Sequence, residues 1–147
     1  MEIILVVEDL LEEQKKAKEA AMKHGFRPAI TATLEDALRV WQSLEGKLVG
    51  IVTDLHFPEK TSENPEWSDA SKPCGLAIVA EATRRGISVV VCSDINHHFA
   101  EYVTKVLNVL QEFHPDKCIP MTMDSKNWDR AMENLARLLK NKKEAQE

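Results

Sequence analysis

Ile3-Ile4-Leu5-Val6-Val7-Glu8-Asp9 and, further on, Ile51-Val52-Thr53-Asp54 are two apolar runs that each end abruptly in acid. The first is continuously apolar rather than alternating. A strand with one wet face alternates, whereas a strand covered by helices on both faces does not. Both runs therefore read as interior strands of a parallel sheet, with carboxylates at their carboxyl ends.

Working outward, residues 10–24 are rich in Ala, Glu, Lys and Gln and form a helix that Gly25 can end in a left-handed conformation. Residues 27–32 supply a short second strand. Thr33 caps a second helix whose apolar face is Leu34, Ala37, Leu38, Trp41 and Leu44, and Thr33 with Asp36 approximates a capping box. Gly46 closes that helix, and residues 48–53 are the third strand. Residues 58–73 show neither period and contain three prolines, so they read as a long exposed loop, of a length that is commonly functional or disordered. Leu76, Val79, Ala80 and Thr83 form the inner face of a third helix ending at Gly86. Residues 87–92 follow as a fourth strand ending at Ser93-Asp94. Phe99, Val103, Val106, Leu107, Leu110 and Phe113 trace a fourth helix that His114-Pro115 stops, and residues 118–123 form the last strand. Trp128, Met132, Leu135 and Leu139 line a final helix, with a frayed tail at about 141–147. Five strand-helix units without repetition call for a doubly wound α/β domain with right-handed crossovers and helices on both faces of the sheet. The expectation is one domain over residues 1–147, with an extended loop at about 59–74.

A chain of 147 residues with 44% hydrophobic residues has enough core to stand without disulfides or a structural metal. The 24 acidic residues outnumber 19 Lys and Arg, and a formal charge of -5 disfavours direct contact with nucleic acid or anionic membranes. The three cysteines, Cys74, Cys92 and Cys118, are widely spaced and read as buried thiols. The opening strand meets Glu8 and Asp9 early, with neither a basic leader nor a long apolar stretch, so the expectation is a cytoplasmic protein.

In doubly wound sheets, sites form beyond the carboxyl ends of strands. Here those ends carry Glu8-Asp9, Asp54, Ser93-Asp94 and Asp124-Ser125-Lys126. Carboxylates crowded in one cleft repel one another unless a cation compensates them, and a hard divalent ion such as Mg2+ (or Mn2+) suits oxygen ligands and readily meets a phosphoryl oxygen. One oxygen of Asp54 can ligate such an ion while the other attacks phosphorus, giving an aspartyl phosphate. No glycine-rich phosphate cradle is present, so ATP is not the expected ligand.

At these residues the sequence resembles the CheY-like receiver domains of two-component response regulators, over essentially the whole chain. The resemblance runs through Ile4-Leu5-Val6-Val7-Glu8-Asp9, through Ile51-Val52-Thr53-Asp54-Leu55-His56-Phe57-Pro58, through Gly75-Leu76 and through Val89-Val90-Val91-Cys92-Ser93. It implies a flavodoxin-like three-layer sandwich with parallel sheet order 2-1-3-4-5. It implies Asp54 as phosphoacceptor, Asp9 as a direct metal ligand, Glu8 often acting through water, and the His56 carbonyl completing the protein's share of the ion. Ser93 would donate its hydroxyl to the phosphoryl group, and Lys126 is the counterpart of the family's lysine after the fifth strand. A histidine kinase or phosphotransfer protein would be the donor, a protein partner would take the output, and catalysis would be limited to self-phosphorylation and autodephosphorylation.

The chain departs from the family pattern at Asn127, where a proline is usual, at Met123, where an aromatic switch residue is common, and at Asp94, where a small residue often stands. Segments 59–74 and 96–117 look longer than in compact receivers. These departures keep open a degenerate receiver that binds a partner without phosphate. A metal-dependent phosphotransferase or nuclease, suggested by Glu8 and the Asp54-x-His56 pair, is the lesser alternative. His97 and His98 are adjacent and cannot both face one ion from a regular helix, while His24 and His114 sit at helix ends where a partly charged imidazole is favoured. Trp41 and Trp128 fall on apolar stripes, and Trp67 lies in the polar loop.

Overall fold

A computed structural model describes residues 1–61, 72–94, 101–116, 118–119 and 126–146. The elements alternate as β1(Glu2–Val7), α1(Leu11–Lys23), β2(Phe26–Thr31), α2(Leu34–Ser43), β3(Leu48–Thr53), α3(Gly75–Arg85), β4(Ser88–Val91), α4(Glu101–Phe113), β5(Cys118–Ile119) and α5(Trp128–Gln146). The five strands form one parallel sheet in the order β2-β1-β3-β4-β5. This is the flavodoxin-like arrangement expected from the sequence. Because β1 lies between β2 and β3, its carboxyl end opens at the place where the strand order reverses.

Successive strand residues point to opposite faces, and two cores result. Leu5, Val7, Ile51, Val89 and Val91 pack with α2, α3 and α4, whereas Ile4, Val6, Val52, Val90 and Cys92 pack with α1 and α5. Burial on both faces is why these strands are unbroken apolar runs. Pro28 sits in β2, an outermost strand, where a missing N–H is tolerated. Gly50 lets α5 close on the sheet, since a Cβ there would stand 2.8 Å from Leu135 Cδ1.

Thr33 Oγ1 accepts from the Asp36 N–H at 3.1 Å, while the Asp36 carboxylate turns outward to Arg39 at 3.0 Å, so the shorter acid serves a surface pair. The inner face of α3 is Ile78, Val79, Ala82 and Thr83, and Ala80, expected inside, is exposed. Tight packing at Gly75 sets the roll of the helix and turns residues 75, 78, 79 and 82 inward. In α4, Val103 and Leu107 are buried and Leu110 partly so. Val106 and Phe113, expected on the same face, are exposed together with Val109 on the neighbouring stripe. Residues 141–146, expected as a tail, continue α5, where Lys142 donates to the Gly86 carbonyl at 2.9 Å. Residues 62–71, Phe99 and residues 120–123 of the expected last strand lie outside the described residues. Among the described residues no helix is long and apolar enough to cross a membrane.

Ser88 Oγ in β4 is fully buried and has no hydrogen-bond partner among the described residues. An unsatisfied buried hydroxyl costs on the order of 1–3 kcal/mol. Ser88→Ala is therefore expected to stabilise the chain by about 1 kcal/mol, seen as a higher urea midpoint at unchanged m-value. A lower midpoint would show that the hydroxyl has a partner, such as a buried water.

Candidate functional site

The carboxyl ends of β1 and β3 are neighbours, with Val7 paired to Thr53, and the Asp54 N–H donates to the Val7 carbonyl at 2.8 Å. Glu8, Asp9 and Asp54 thereby converge, each offering a carboxylate oxygen within 4.8 Å of the others. Glu8 is 0% exposed and Asp54 4%. Lys126, just ahead of α5, closes the cluster. Its ammonium donates to Glu8 Oε2 at 2.8 Å and to Asp54 Oδ2 at 2.9 Å. The remaining oxygens are met by backbone, with Leu10 N–H on Glu8 Oε1 at 3.0 Å and Leu55 N–H on Asp54 Oδ1 at 2.7 Å.

Burial pushes the Glu8 carboxyl up to about 8, with the neighbouring Asp54 adding to the rise and Lys126 opposing it. Burial also raises Asp9, helped by Asp54. Burial alone would lower Lys126, but Asp54 and Glu8 outweigh it and hold the ammonium above the ordinary lysine value. Among the described residues one lysine thus stands against three carboxyl groups. That imbalance, the all-oxygen donor set and its spacing fit a hard divalent ion, with waters completing the coordination.

Ser93 lies two residues beyond Val91, the register partner of Thr53, and is 3% exposed; Cys92 N–H donates to the Thr53 carbonyl at 2.8 Å. The hydroxyl residue therefore belongs to the strand end beside Asp54. His56 is two residues past Asp54 on the same turn and is half-buried, as is Asp94. All six residues singled out from the sequence, Glu8, Asp9, Asp54, His56, Ser93 and Lys126, follow the carboxyl ends of β1, β3, β4 and β5. His97, His98, Trp67, Met123, Asp124 and Ser125 lie outside the described residues, whereas Trp41 and Trp128 are core residues as expected. Asn127 caps α5 by accepting from the Arg130 N–H at 3.0 Å.

Three supports were given no role at the site in the sequence. Gln14 Nε2 donates to the Glu8 carbonyl at 2.7 Å, and Glu13 Oε2 accepts from the Trp128 indole N–H at the same distance. Their only sequence signal is their place in the first turn of the helix that leaves the acidic strand end. The third is the close approach of Gly75, where a Cβ would run into the Asp54 carbonyl oxygen and stand 2.7 Å from Leu55 Cα. Backbone cannot yield as a side chain can. Gly75→Ala is expected to cost about 1–3 kcal/mol and to shift Asp54, read as a lower denaturation midpoint with altered amide resonances at residues 54–55. An unchanged midpoint and spectrum would show that α3 slides freely.

Neither any protein-family model nor any curated protein matches the sequence. Solved structures do match the fold. A response regulator receiver domain from Clostridium thermocellum is similar at a TM-score of 0.67 and 12% identity, covering 97% of this chain and 98% of that one. A CheY-like receiver domain from Methanospirillum hungatei gives 0.65 at 16%, covering 99% and 98%. Response regulator protein TrrA from Thermotoga maritima, in complex with Mg2+ and BeF, gives 0.62 at 18%, covering 94% and 99%. The chain has the fold of a CheY-like receiver domain, with an acidic cluster at the carboxyl ends of its central strands.

Proposed function

We infer that this chain is a phosphoacceptor of phosphorelay signalling, taking a phosphoryl group on Asp54 and passing the signal to a protein partner. The observation that carries the reading is Lys126, whose ammonium is shared between Glu8 and Asp54 beside Asp9. A carboxylate oxygen of Asp54 attacks phosphorus, the donor's leaving group departs with the bonding electrons, and an acyl phosphate results. Lys126 then follows the charge, moving its hydrogen bond from the carboxylate to a phosphoryl oxygen, and the Ser93 hydroxyl donates to another. Asp9, Asp54, Glu8 and the His56 carbonyl would hold Mg2+ or Mn2+, which when bound supplies compensating charge at the phosphoryl oxygens. A histidine kinase or phosphotransfer protein is the donor on this reading, and the chain's own chemistry is limited to self-phosphorylation and autodephosphorylation. The likeness to a structure in complex with Mg2+ and BeF supports it.

Mass measurement after incubation with acetyl phosphate and Mg2+ tests the reading directly. Its metal side is tested separately. Asp9→Asn is expected to weaken Mg2+ binding on the order of tenfold, followed by calorimetric titration; undiminished affinity would remove Asp9 from the ligand set.

One observation favours a second reading, a phosphorylation-independent binding module. Asp54 is nearly buried, and both of its oxygens already have donors. Absence of any phosphoryl mass, with no response to beryllofluoride, would select it.

A further inference from the structure

We propose that Glu13 is a positioning residue, which holds Lys126 against Asp54 by gripping the indole of Trp128; this rests on the phosphoacceptor reading. Lys126 comes to the cluster from the short stretch ahead of α5, and its side chain spans two acids contributed by other elements. What fixes that stretch is therefore what fixes the ammonium. Among the described residues Asn127 ties it to α5 itself, through its side-chain bond to Arg130 and its carbonyl bond from Ala131 at 3.0 Å. Trp128 ties it to another helix. The ring is 3% exposed among Ala17, Ala20 and Met132, and its N–H points across to Glu13 Oε2 at 2.7 Å.

An indole is donor only, and a carboxylate acceptor makes a strong, directional bond. Apolar packing around the ring would tolerate a small roll of the helix, whereas this bond sets the angle at which residues 126–128 meet α1. Glu13 also pairs weakly with Lys16 at 3.5 Å, an exposed i,i+3 contact that contributes little. The neighbouring Gln14 holds the Glu8 carbonyl. Adjacent residues of α1 thus fasten the two sides of the cluster, one the acid of β1 and the other the approach of the lysine.

The test compares Glu13→Leu, which removes the acceptor, Glu13→Gln, which keeps a neutral one, and Trp128→Phe, which keeps an aromatic ring in the core and removes the donor. Two readouts are taken on proteins shown by circular dichroism to be folded. Reductive methylation with peptide mass spectrometry measures the protection of Lys126, which its two acids and low exposure confer in the native chain. Acetyl phosphate with Mg2+ measures the phosphorylation rate. Glu13→Leu and Trp128→Phe are each expected to raise Lys126 labelling and to slow phosphorylation roughly tenfold, part of what misplacing a reacting group by about 1 Å costs. Glu13→Gln should retain most of both, and the double variant should be no worse than either single one. A simple packing defect would not be rescued by the amide. Native Lys126 protection in Glu13→Leu overturns the proposal. If the native chain takes no phosphate while Lys126 labelling still responds to Glu13, the positioning role stands and the phosphoacceptor reading falls.

Discussion

Incubation with acetyl phosphate and Mg2+ is expected to add one phosphoryl mass to the native chain and none to Asp54→Ala. The effect is all-or-none because, on the proposed reading, the carboxylate of residue 54 is the bond-forming group rather than a helper. Glu8 is no substitute, because burial raises its carboxyl to about 8 and the proton it holds near neutral pH removes the nucleophilic charge. Asp9 is more open, but neither of the bonds that Lys126 makes reaches it. Ser93→Ala should still be modified but roughly 100-fold more slowly, the scale set by losing one preorganised donor to developing charge. Beryllofluoride should shift amide resonances at Asp54, Ser93 and Lys126 in the native chain and not in Asp54→Ala. Phosphoryl mass in Asp54→Ala would move the acceptor elsewhere, and none in the native chain would leave the binding-module reading.

The parts of this structure legible in the sequence are those written in short-range chemistry. Unbroken apolar runs at residues 3–7 and 48–53 announce strands covered on both faces, and the polar residues that end them announce the rim of the sheet. That rim brought Glu8, Asp9 and Asp54 together without any need to know the helices. Helix roll was less legible. Val103, Val106, Leu107, Leu110 and Phe113 are all apolar, and periodicity alone does not say which stripe meets α3 and which meets water. The roll of α3 was hidden for a related reason. It follows from backbone contact at Gly75, which has no side chain to reveal it. The least legible features were the long-range bonds, Trp128 to Glu13 above all, because 115 residues separate the partners and each has an adequate local explanation. Trp128 reads as core and Glu13 as a solvated helix position, and only the packing of α1 on α5 makes them a pair.

Lys126→Met is expected to destabilise the metal-free protein by about 2–3 kcal/mol near neutral pH, below the usual 3–5 for breaking a buried pair because Glu8, raised to about 8, already holds a proton there. Methionine keeps much of the length of the side chain and removes only its charge and donors. Glu8 and Asp54 are then left as buried neighbours without the cation that both contact. The pH dependence separates this cause from lost packing. In the native metal-free chain Glu8 is raised to about 8 from 4.5, so the folded state holds a proton that the unfolded chain has released. Its contribution is fully present below about pH 4.5 and is lost as pH rises to about 8, so stability falls across that window. Lys126 opposes the rise at Glu8, and without it the window extends upward. The deficit of Lys126→Met should therefore change little between pH 5 and about 8, where Glu8 holds its proton in both folded chains, and should grow above that. Millimolar Mg2+ should recover much of it, since an ion that binds only the folded state stabilises by mass action and brings two charges to the same acids. Urea titrations at several pH values, with and without Mg2+, measure both. A deficit that is equal at every pH and indifferent to Mg2+ would mean that Lys126 contributes packing alone, and the charge balance of the cluster would have to be assigned elsewhere.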